Sequence, residues 1–205
     1  MLMTIFSLIV LYFSTAIHEI AHGSIAFLLG DPTAKEEGRL TLNPLRHLDP
    51  FGSVILPAIL FFLTQGQGPI FGWAKPVPIN PYNFYDRKWG LLKVSIAGPA
   101  TNFLLALIFG FLIRFLSLPY YLAILFGLIA IYNFAWGIFN LIPIPPLDGS
   151  HILFTFLPES FSKIKLFLQQ YGFFLLIFFI FFGLDFIFRG ALFLYSLIVG
   201  QAFSF

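Results

Sequence analysis

Long apolar runs separated by short polar loops dominate the chain. At 1.5 Å per residue, a helix of about 20 apolar residues crosses a hydrocarbon core of about 30 Å. Apolar runs that approach or exceed this length cover residues 2–29, 91–115, 120–142, 166–182 and 186–203. The last run is either a final span or a helix lying in the interface, because Asp185 and Arg189 flank its start. The pattern predicts an all-α polytopic membrane protein with about five to six membrane helices.

Residues 51–73 form a shorter and broken apolar stretch. Pro57 interrupts it, and a Gln- and Gly-rich run at residues 65–68 ends its apolar part. So few apolar residues favour a re-entrant segment, which enters the membrane and returns to the same side, over a span. Pro76 and Pro78 exclude a helix at residues 71–79 and favour an extended, edge-like strand. The sequence therefore predicts a re-entrant segment followed by a small β-strand element.

The Lys and Arg residues orient these elements in the membrane. Residues 1–34 contain none, whereas the first polar loop contains three, so this loop is predicted to be cytoplasmic and the N-terminus to lie outside. With residues 51–73 re-entrant, the later cytoplasmic loops carry Lys75, Arg87, Lys88, Lys163 and Lys165, and only Arg114 and Arg189 lie outside. If residues 51–73 crossed the membrane fully, Lys75, Arg87 and Lys88 would lie outside, contrary to the usual enrichment of Lys and Arg in cytoplasmic loops.

Composition narrows the class of protein further. Of 205 residues, 59% are hydrophobic and only 10% are charged, which excludes an ordinary soluble globule. The net charge of +2 comes without a basic cluster, so no nucleic-acid partner is expected. The absence of cysteine excludes disulfides and thiolate metal sites. With no internal repeat or linker, residues 1–205 are predicted to form a single membrane-embedded domain.

The candidate chemistry begins inside the first apolar run, at the sequence His18-Glu19-Ile20-Ala21-His22. On a helix, residues four apart project from one face, so His18 and His22 can supply two nitrogen ligands to one tetrahedral zinc ion. Glu19 is the next residue around the helix and is placed to act on a water at the metal rather than to bind the metal. Ionisable residues are costly to insert into a membrane span, which favours a function for them over chance.

A catalytic zinc usually has three protein ligands, so a third ligand is needed. Asp148 is the best candidate, because it follows an apolar span, lies on broken helix and falls on the same cytoplasmic side as His18 and His22. The alternative is that Asp148 only caps the next helix. His151 is a competing ligand, and His47, in a charged loop, is interpreted as a surface histidine.

With these residues in place, the chain resembles the site-2 protease family of intramembrane zinc metalloproteases. Besides the His-Glu-x-x-His motif, the resemblance is carried by Gly98-Pro99-Ala100-Thr101-Asn102 and by Asn140-Leu141-Ile142-Pro143 leading to Leu147-Asp148-Gly149. The chain is similar to the short bacterial and archaeal members that lack PDZ and CBS domains. The resemblance implies an integral protein of a bacterial or archaeal cell membrane with its active site toward the cytoplasm.

The resemblance also implies roles for the site residues. His18, His22 and Asp148 would bind one Zn²⁺ per chain, and Glu19 would be the catalytic base. The substrates would be single-span membrane proteins in the lipid bilayer, cut within their transmembrane helices. Asn140 or Asn102 is a candidate donor to the oxygen of the scissile carbonyl, although intramembrane asparagines also serve as links between helices, the role expected of Asn133.

Two further interpretations concern substrate and class. Residues 71–79 either receive the unwound substrate by strand addition or are a loop made rigid by its prolines. Alternative classes are a metal transporter, a di-iron oxygenase and a catalytically inactive, substrate-binding relative. The lack of an internal repeat argues against the transporter, the shortage of ligands against the oxygenase, and the intact Glu19 against the inactive relative.

Overall fold

The computed structural model describes residues 2–65 and 74–200, and the regular structure within these ranges is helical. Seven α-helices occur there, namely α1 (Leu2–Leu28), α2 (Thr33–Glu36), α3 (Leu56–Leu63), α4 (Arg87–Phe115), α5 (Tyr120–Asn140), α6 (Asp148–Phe156) and α7 (Ser162–Val199). Four of them, α1, α4, α5 and α7, are long and apolar enough to cross a membrane. The all-α membrane class is thereby confirmed, whereas the predicted count of five to six membrane helices is not.

The difference in count arises at the C-terminal end. Residues predicted as two segments, 166–182 and 186–203, form the single 38-residue helix α7 up to Val199. Asp185 and Arg189 do not interrupt it, because they are spaced i,i+4 and form an ion pair of 2.9 Å along the helix. Gly200, in the left-handed conformation with φ of 77°, ends the helix.

Helix α4 is central to the bundle and packs against α1, α5, α6 and α7. Small buried residues let the helix backbones approach closely, which is how helices associate where water supplies no driving force. Larger side chains fill the space beside them. The cluster shared by α4, α5 and α7 consists of Ala106, Ala130, Ile131, Phe134, Ala135, Ile187, Ala191 and Tyr195.

A buried carboxylate ties the loop before α4 to the end of α1. Asp31 is fully buried and accepts hydrogen bonds from the backbone N–H and hydroxyl of Thr33, the backbone N–H of Asn80 at 2.7 Å and the side chain of Asn83 at 2.8 Å. Burial by itself raises the pKa of Asp31, but these hydrogen bonds outweigh it and lower the pKa below its ordinary value. The loop is therefore fixed against α1 by an anionic residue.

The segment predicted to be re-entrant is helical where the structure describes it. A π-type turn at Pro50–Ile55 leads into α3, and together they extend only about 21 Å, which is short of a span. Residues 66–73, where the chain would return, lie outside the described residues, so the re-entrant path stays a prediction. The predicted strand at 71–79 is not confirmed, since residues 74–80 form neither helix nor strand and 71–73 lie outside the described ranges.

Replacing Asp31 tests the role of this carboxylate. Because its pKa is lowered by folding, its contribution to stability is present above the pKa of the unfolded chain and is lost as the pH falls through the lower folded value. We expect Asp31→Ala to lower the free energy of unfolding by roughly 1–3 kcal/mol near neutral pH. The loss should shrink as the pH falls below about 4. Thermal unfolding in detergent across pH measures this, with the exposed Glu36→Gln as control; equal effects of both substitutions would contradict the assignment.

Candidate active site

Three potential ligand atoms from distant parts of the chain converge at the bundle centre. His18 and His22, one turn apart on α1, bring their Nε2 atoms within 3.0 Å of each other. Asp148 begins α6 and places its Oδ2 atom 3.1 Å from Nε2 of His18 and 3.3 Å from Nε2 of His22. Both histidines are buried, and the Asp148 side chain is mostly so. The structure thus brings together the three residues predicted as metal ligands.

A chain of hydrogen bonds determines the protonation of His18. Asn133 donates its amide to the carbonyl of Ile129, so its Oδ1 atom accepts from Nδ2 of Asn102 at 3.0 Å. Nδ2 of Asn102 also donates to the carbonyl of Ser14, so its Oδ1 atom is the acceptor that faces Nδ1 of His18 at 2.6 Å. His18 therefore carries a proton on Nδ1, and in the neutral ring its Nε2 directs a lone pair into the site.

Nε2 of His22 and Oδ2 of Asp148 also direct lone pairs into the site. His22 donates Nδ1–H to the carbonyl of Val94 at 2.7 Å, so in the neutral ring the lone pair is on Nε2. Oδ2 of Asp148 is buried, and no hydrogen-bond donor within the described ranges is directed at it. Three lone pairs thus face one another at close range. Such an arrangement is repulsive unless a cation lies between the three atoms.

The residues present fit a zinc ion. With bonds of 2.0–2.2 Å, two ligand atoms of a tetrahedral zinc lie about 3.3 Å apart, close to the observed 3.0–3.3 Å. Two imidazoles and one carboxylate leave a fourth position for water or substrate, as in catalytic zinc sites. The Nδ1 hydrogen bonds to Asn102 and Val94 are the outer contacts that usually orient zinc-binding imidazoles.

Gly98 on α4 lies directly against the two imidazoles. A Cβ atom at this position would lie 2.5 Å from Nε2 of both His18 and His22, where the metal ligands meet. Only glycine leaves this space free. In the sequence Gly98 only contributes to the family resemblance, whereas in the structure it lets the α4 backbone approach the two imidazoles.

A cavity of about 320 Å³ opens beside the three ligand atoms, and Glu19, Asn140 and His151 line it. Glu19 is not one of the converging ligands, and its Oε2 atom accepts a hydrogen bond of 2.7 Å from the backbone N–H of Val77. Asn140 donates to the carbonyl of Trp136 one turn earlier on α5. His151 is exposed and lies outside the group of three ligands among the described residues.

Sequence reasoning missed the residues that hold Val77 beside Glu19. The guanidinium of Arg39, only 5% exposed, donates to the carbonyls of Arg46, Lys75 and Pro76. The interpretation of His47 as a surface residue is wrong: it is fully buried and donates Nε2–H to the carbonyl of Thr41 at 2.8 Å. Its own carbonyl accepts from the N–H of Lys75 at 2.9 Å. Nothing in a charged loop signals such burial, because charged loop residues are normally solvated.

Substituting Gly98 tests whether zinc binding requires the free space beside the two imidazoles. We expect Gly98→Ala to abolish stoichiometric zinc binding, because the added methyl group would occupy the space of the two Nε2 atoms. Metal analysis of the purified protein measures this. Gly190→Ala is the matched control, since its new Cβ would make only an ordinary contact with Ile138 at 3.4 Å, and it should retain the metal. Full zinc content in Gly98→Ala would show that the ion lies elsewhere.

Comparison with known proteins agrees with this geometry. The family model described as peptidase family M50 matches residues 119–182, which include Asp148. The Bacillus subtilis strain 168 protein named as zinc metalloprotease YwhC is 38% identical over 175 residues, covering 80% of this chain and 75% of YwhC. The Mycolicibacterium smegmatis protein named as zinc metalloprotease Rip2 is 31% identical over 167 residues, covering 80% of this chain and 62% of Rip2. No solved structure matches.

The likeness to YwhC covers most of both chains, and His18, His22 and Asp148 are close enough together to hold a metal ion. The chain belongs to peptidase family M50, the site-2 protease family of zinc metalloproteases.

Proposed function

We propose that this protein is an intramembrane protease that hydrolyses peptide bonds within the transmembrane helices of single-span membrane proteins. The observation that carries the proposal is the convergence of His18, His22 and Asp148 beside Glu19 in one cavity of a membrane-type helical bundle. The distribution of Lys and Arg supports a cell-membrane location with this cavity toward the cytoplasm.

His18, His22 and Asp148 are the proposed ligands of one zinc ion per chain. Bound there, zinc would supply Lewis-acid chemistry, lowering the pKa of water toward about 7 and polarising the scissile carbonyl. The contribution of this chain is to hold both imidazoles in the tautomer that offers Nε2 and to keep the carboxylate of Asp148 next to them.

Glu19 is the proposed general base and acid. Its carboxylate accepts the proton of the attacking water and then passes it to the leaving amine of the cleaved peptide. The N–H of Val77 holds one carboxylate oxygen at 2.7 Å, which sets the orientation of the group in the cavity. General acid–base catalysis of this kind typically contributes 10²- to 10⁴-fold in rate.

The two asparagines predicted as oxyanion donors are placed differently. Asn140 lines the cavity, and because an amide nitrogen carries two hydrogens, one can be donated to Trp136 and the other to the substrate oxygen. Asn102 is fully buried, with both polar atoms engaged by His18, Ser14 and Asn133. In this proposal Asn140 contacts the substrate, whereas Asn102 positions His18.

Residues 74–80 support the rigid-loop interpretation over strand addition. Pairing with a substrate strand requires free main-chain donors. The N–H groups of Lys75, Val77 and Asn80 are bonded to His47, Glu19 and Asp31, and the prolines at 76 and 78 have none. This part of the loop is therefore proposed to fix Glu19, and capture of an unwound substrate by residues 71–79 stays a prediction.

Two substitutions separate chemistry from metal binding. Glu19→Gln should retain one zinc per chain but lower cleavage of a single-span reporter by roughly 10²- to 10⁴-fold, because Gln cannot take a proton from water. Asp148→Asn should lose zinc as well as cleavage. Metal analysis and cleavage assays on purified protein in lipid nanodiscs measure both. Near-normal proteolysis by Glu19→Gln would refute the general-base role, and cleavage without metal would refute the proposed function.

Substituting Arg39 tests whether its contacts control Glu19. Arg39→Ala should leave zinc content unchanged but lower kcat by up to about 10²-fold, the effect of a catalytic group displaced by about 1 Å. Added guanidinium should restore part of the rate, since it can reoccupy the contacts to the carbonyls of Lys75 and Pro76. The control is Arg46→Ala, whose side chain is exposed. Loss of zinc in Arg39→Ala, or no loss of kcat, would contradict this role.

A further inference from the structure

Two polar side chains in the active-site cavity have no part in the chemistry proposed above, namely Ser95 on α4 and His151 on α6. Both residues line the cavity of about 320 Å³ beside the three converging ligand atoms. The hydroxyl of Ser95 and the ring of His151 make no hydrogen bond to any residue that the structure describes. Both donors are therefore available to a molecule that enters the cavity.

The position of Ser95 directs its hydroxyl at the cavity. Ser95 lies one turn before Gly98 on the same face of α4, and a Cβ atom on Gly98 would lie 2.5 Å from Nε2 of both His18 and His22. Only 3% of the surface of Ser95 is exposed. Its Oγ atom has no partner in the described ranges and yet is not among their fully buried unpartnered atoms, so the exposed part of Ser95 includes this atom.

Helix α6 places His151 at the open side of the same cavity. His151 lies one turn after Asp148 on the same face of α6, and it is exposed although it lines the cavity. A Cβ atom on Gly149 would overlap the carbonyl groups of Leu141 and Ile142, so the first turn of α6 is pressed against this backbone. His151 is thus carried by a well-fixed element, and an imidazole offers an N–H donor in every protonation state that it adopts in proteins.

An unwound membrane helix needs such donors. A peptide bond within a helix can be attacked only where the helix has unwound, because its carbonyl is otherwise hydrogen-bonded. Unwinding leaves main-chain carbonyls without partners, which is costly away from water. The N–H groups of Lys75, Val77 and Asn80 in the neighbouring loop cannot bind these carbonyls, since they are bonded within the chain. Donors from side chains can do so instead.

Three side-chain donors of the cavity are free to bind substrate carbonyls. One is the second amide hydrogen of Asn140, which the proposed function assigns to the oxygen of the scissile carbonyl. The other two belong to Ser95 and His151. The remaining lining residues in the described part of the chain are apolar, or are Glu19 and the three converging ligands. Since Ser95 and His151 are on different helices, each can bind a different carbonyl.

We propose that Ser95 and His151 bind main-chain carbonyls of the unwound substrate next to the scissile bond. This inference rests on the proposed function, because it requires a substrate that unwinds in the cavity. Each side chain donates one hydrogen bond to the carbonyl of a residue that flanks the scissile bond. Because these contacts are to the main chain, they hold substrates whatever side chains those flanking residues carry.

Substitutions that remove each donor test the proposal on the whole protein in lipid nanodiscs. Ser95→Ala and His151→Leu should each raise KM for a single-span reporter about 2- to 10-fold, the effect of one lost hydrogen bond, with kcat and zinc content unchanged. His151→Gln retains an N–H donor and should have a KM close to that of wild type. The matched control is Ser196→Ala on α7, whose hydroxyl donates to the carbonyl of Phe193 at 2.8 Å and which should change neither constant.

Two reporters separate main-chain from side-chain recognition. One reporter carries leucine on both sides of the scissile bond and the other carries alanine, and Ser95→Ala and His151→Leu should each raise KM by the same factor for both. An unchanged KM, a rise for one reporter alone, or a fall in kcat at constant KM would overturn the inference.

Metal analysis and the wild-type protein complete the test. Loss of zinc from Ser95→Ala or His151→Leu would show that the residue builds the metal site rather than binds substrate, and it would also overturn the inference. If the wild-type protein cleaves both reporters, the proposed function stands whatever the variants do. If it cleaves neither, the proposed function is refuted, and this inference with it.

Discussion

The structure depends on holding two neutral imidazoles and one carboxylate with their lone pairs directed at a single point. Each of these three lone pairs would be destabilising if it were buried without a partner. The Nδ1–H groups are anchored to Asn102 and Val94, and these bonds leave the Nε2 atoms of His18 and His22 available. A cation bound between these atoms would therefore stabilise the fold as well as supply chemistry.

Helix α4 provides most of this support, which explains why it occupies the centre of the bundle. From one face it presents the carbonyl of Val94, the bare backbone of Gly98 and the amide of Asn102 to α1. Asn133 on α5 then fixes the orientation of Asn102. The packing of α1, α4 and α5 therefore determines which nitrogen of His18 carries the proton. A shift of any of these helices would change the metal site.

The convergence of His18, His22 and Asp148 could be predicted from the sequence because helical spacing and membrane topology constrain these residues strongly. The i,i+4 spacing of His18 and His22 requires no tertiary information, and the charge rule placed Asp148 on their side of the membrane. Burial of Arg39 and His47 could not be foreseen, because it depends on main-chain carbonyl groups that only the folded loop brings to these side chains. The continuity of α7 was also missed, since an apolar run interrupted by two charges resembles two segments.

X-ray absorption spectroscopy at the zinc edge of the purified protein tests whether His18, His22 and Asp148 bind the ion. We expect one zinc per chain with a shell of nitrogen and oxygen atoms at about 2.0–2.2 Å and the outer scattering of two imidazole rings. His18→Ala should remove one of the two rings from the spectrum. A site without imidazole scattering, or a spectrum unchanged in His18→Ala, would show that the ion is bound elsewhere.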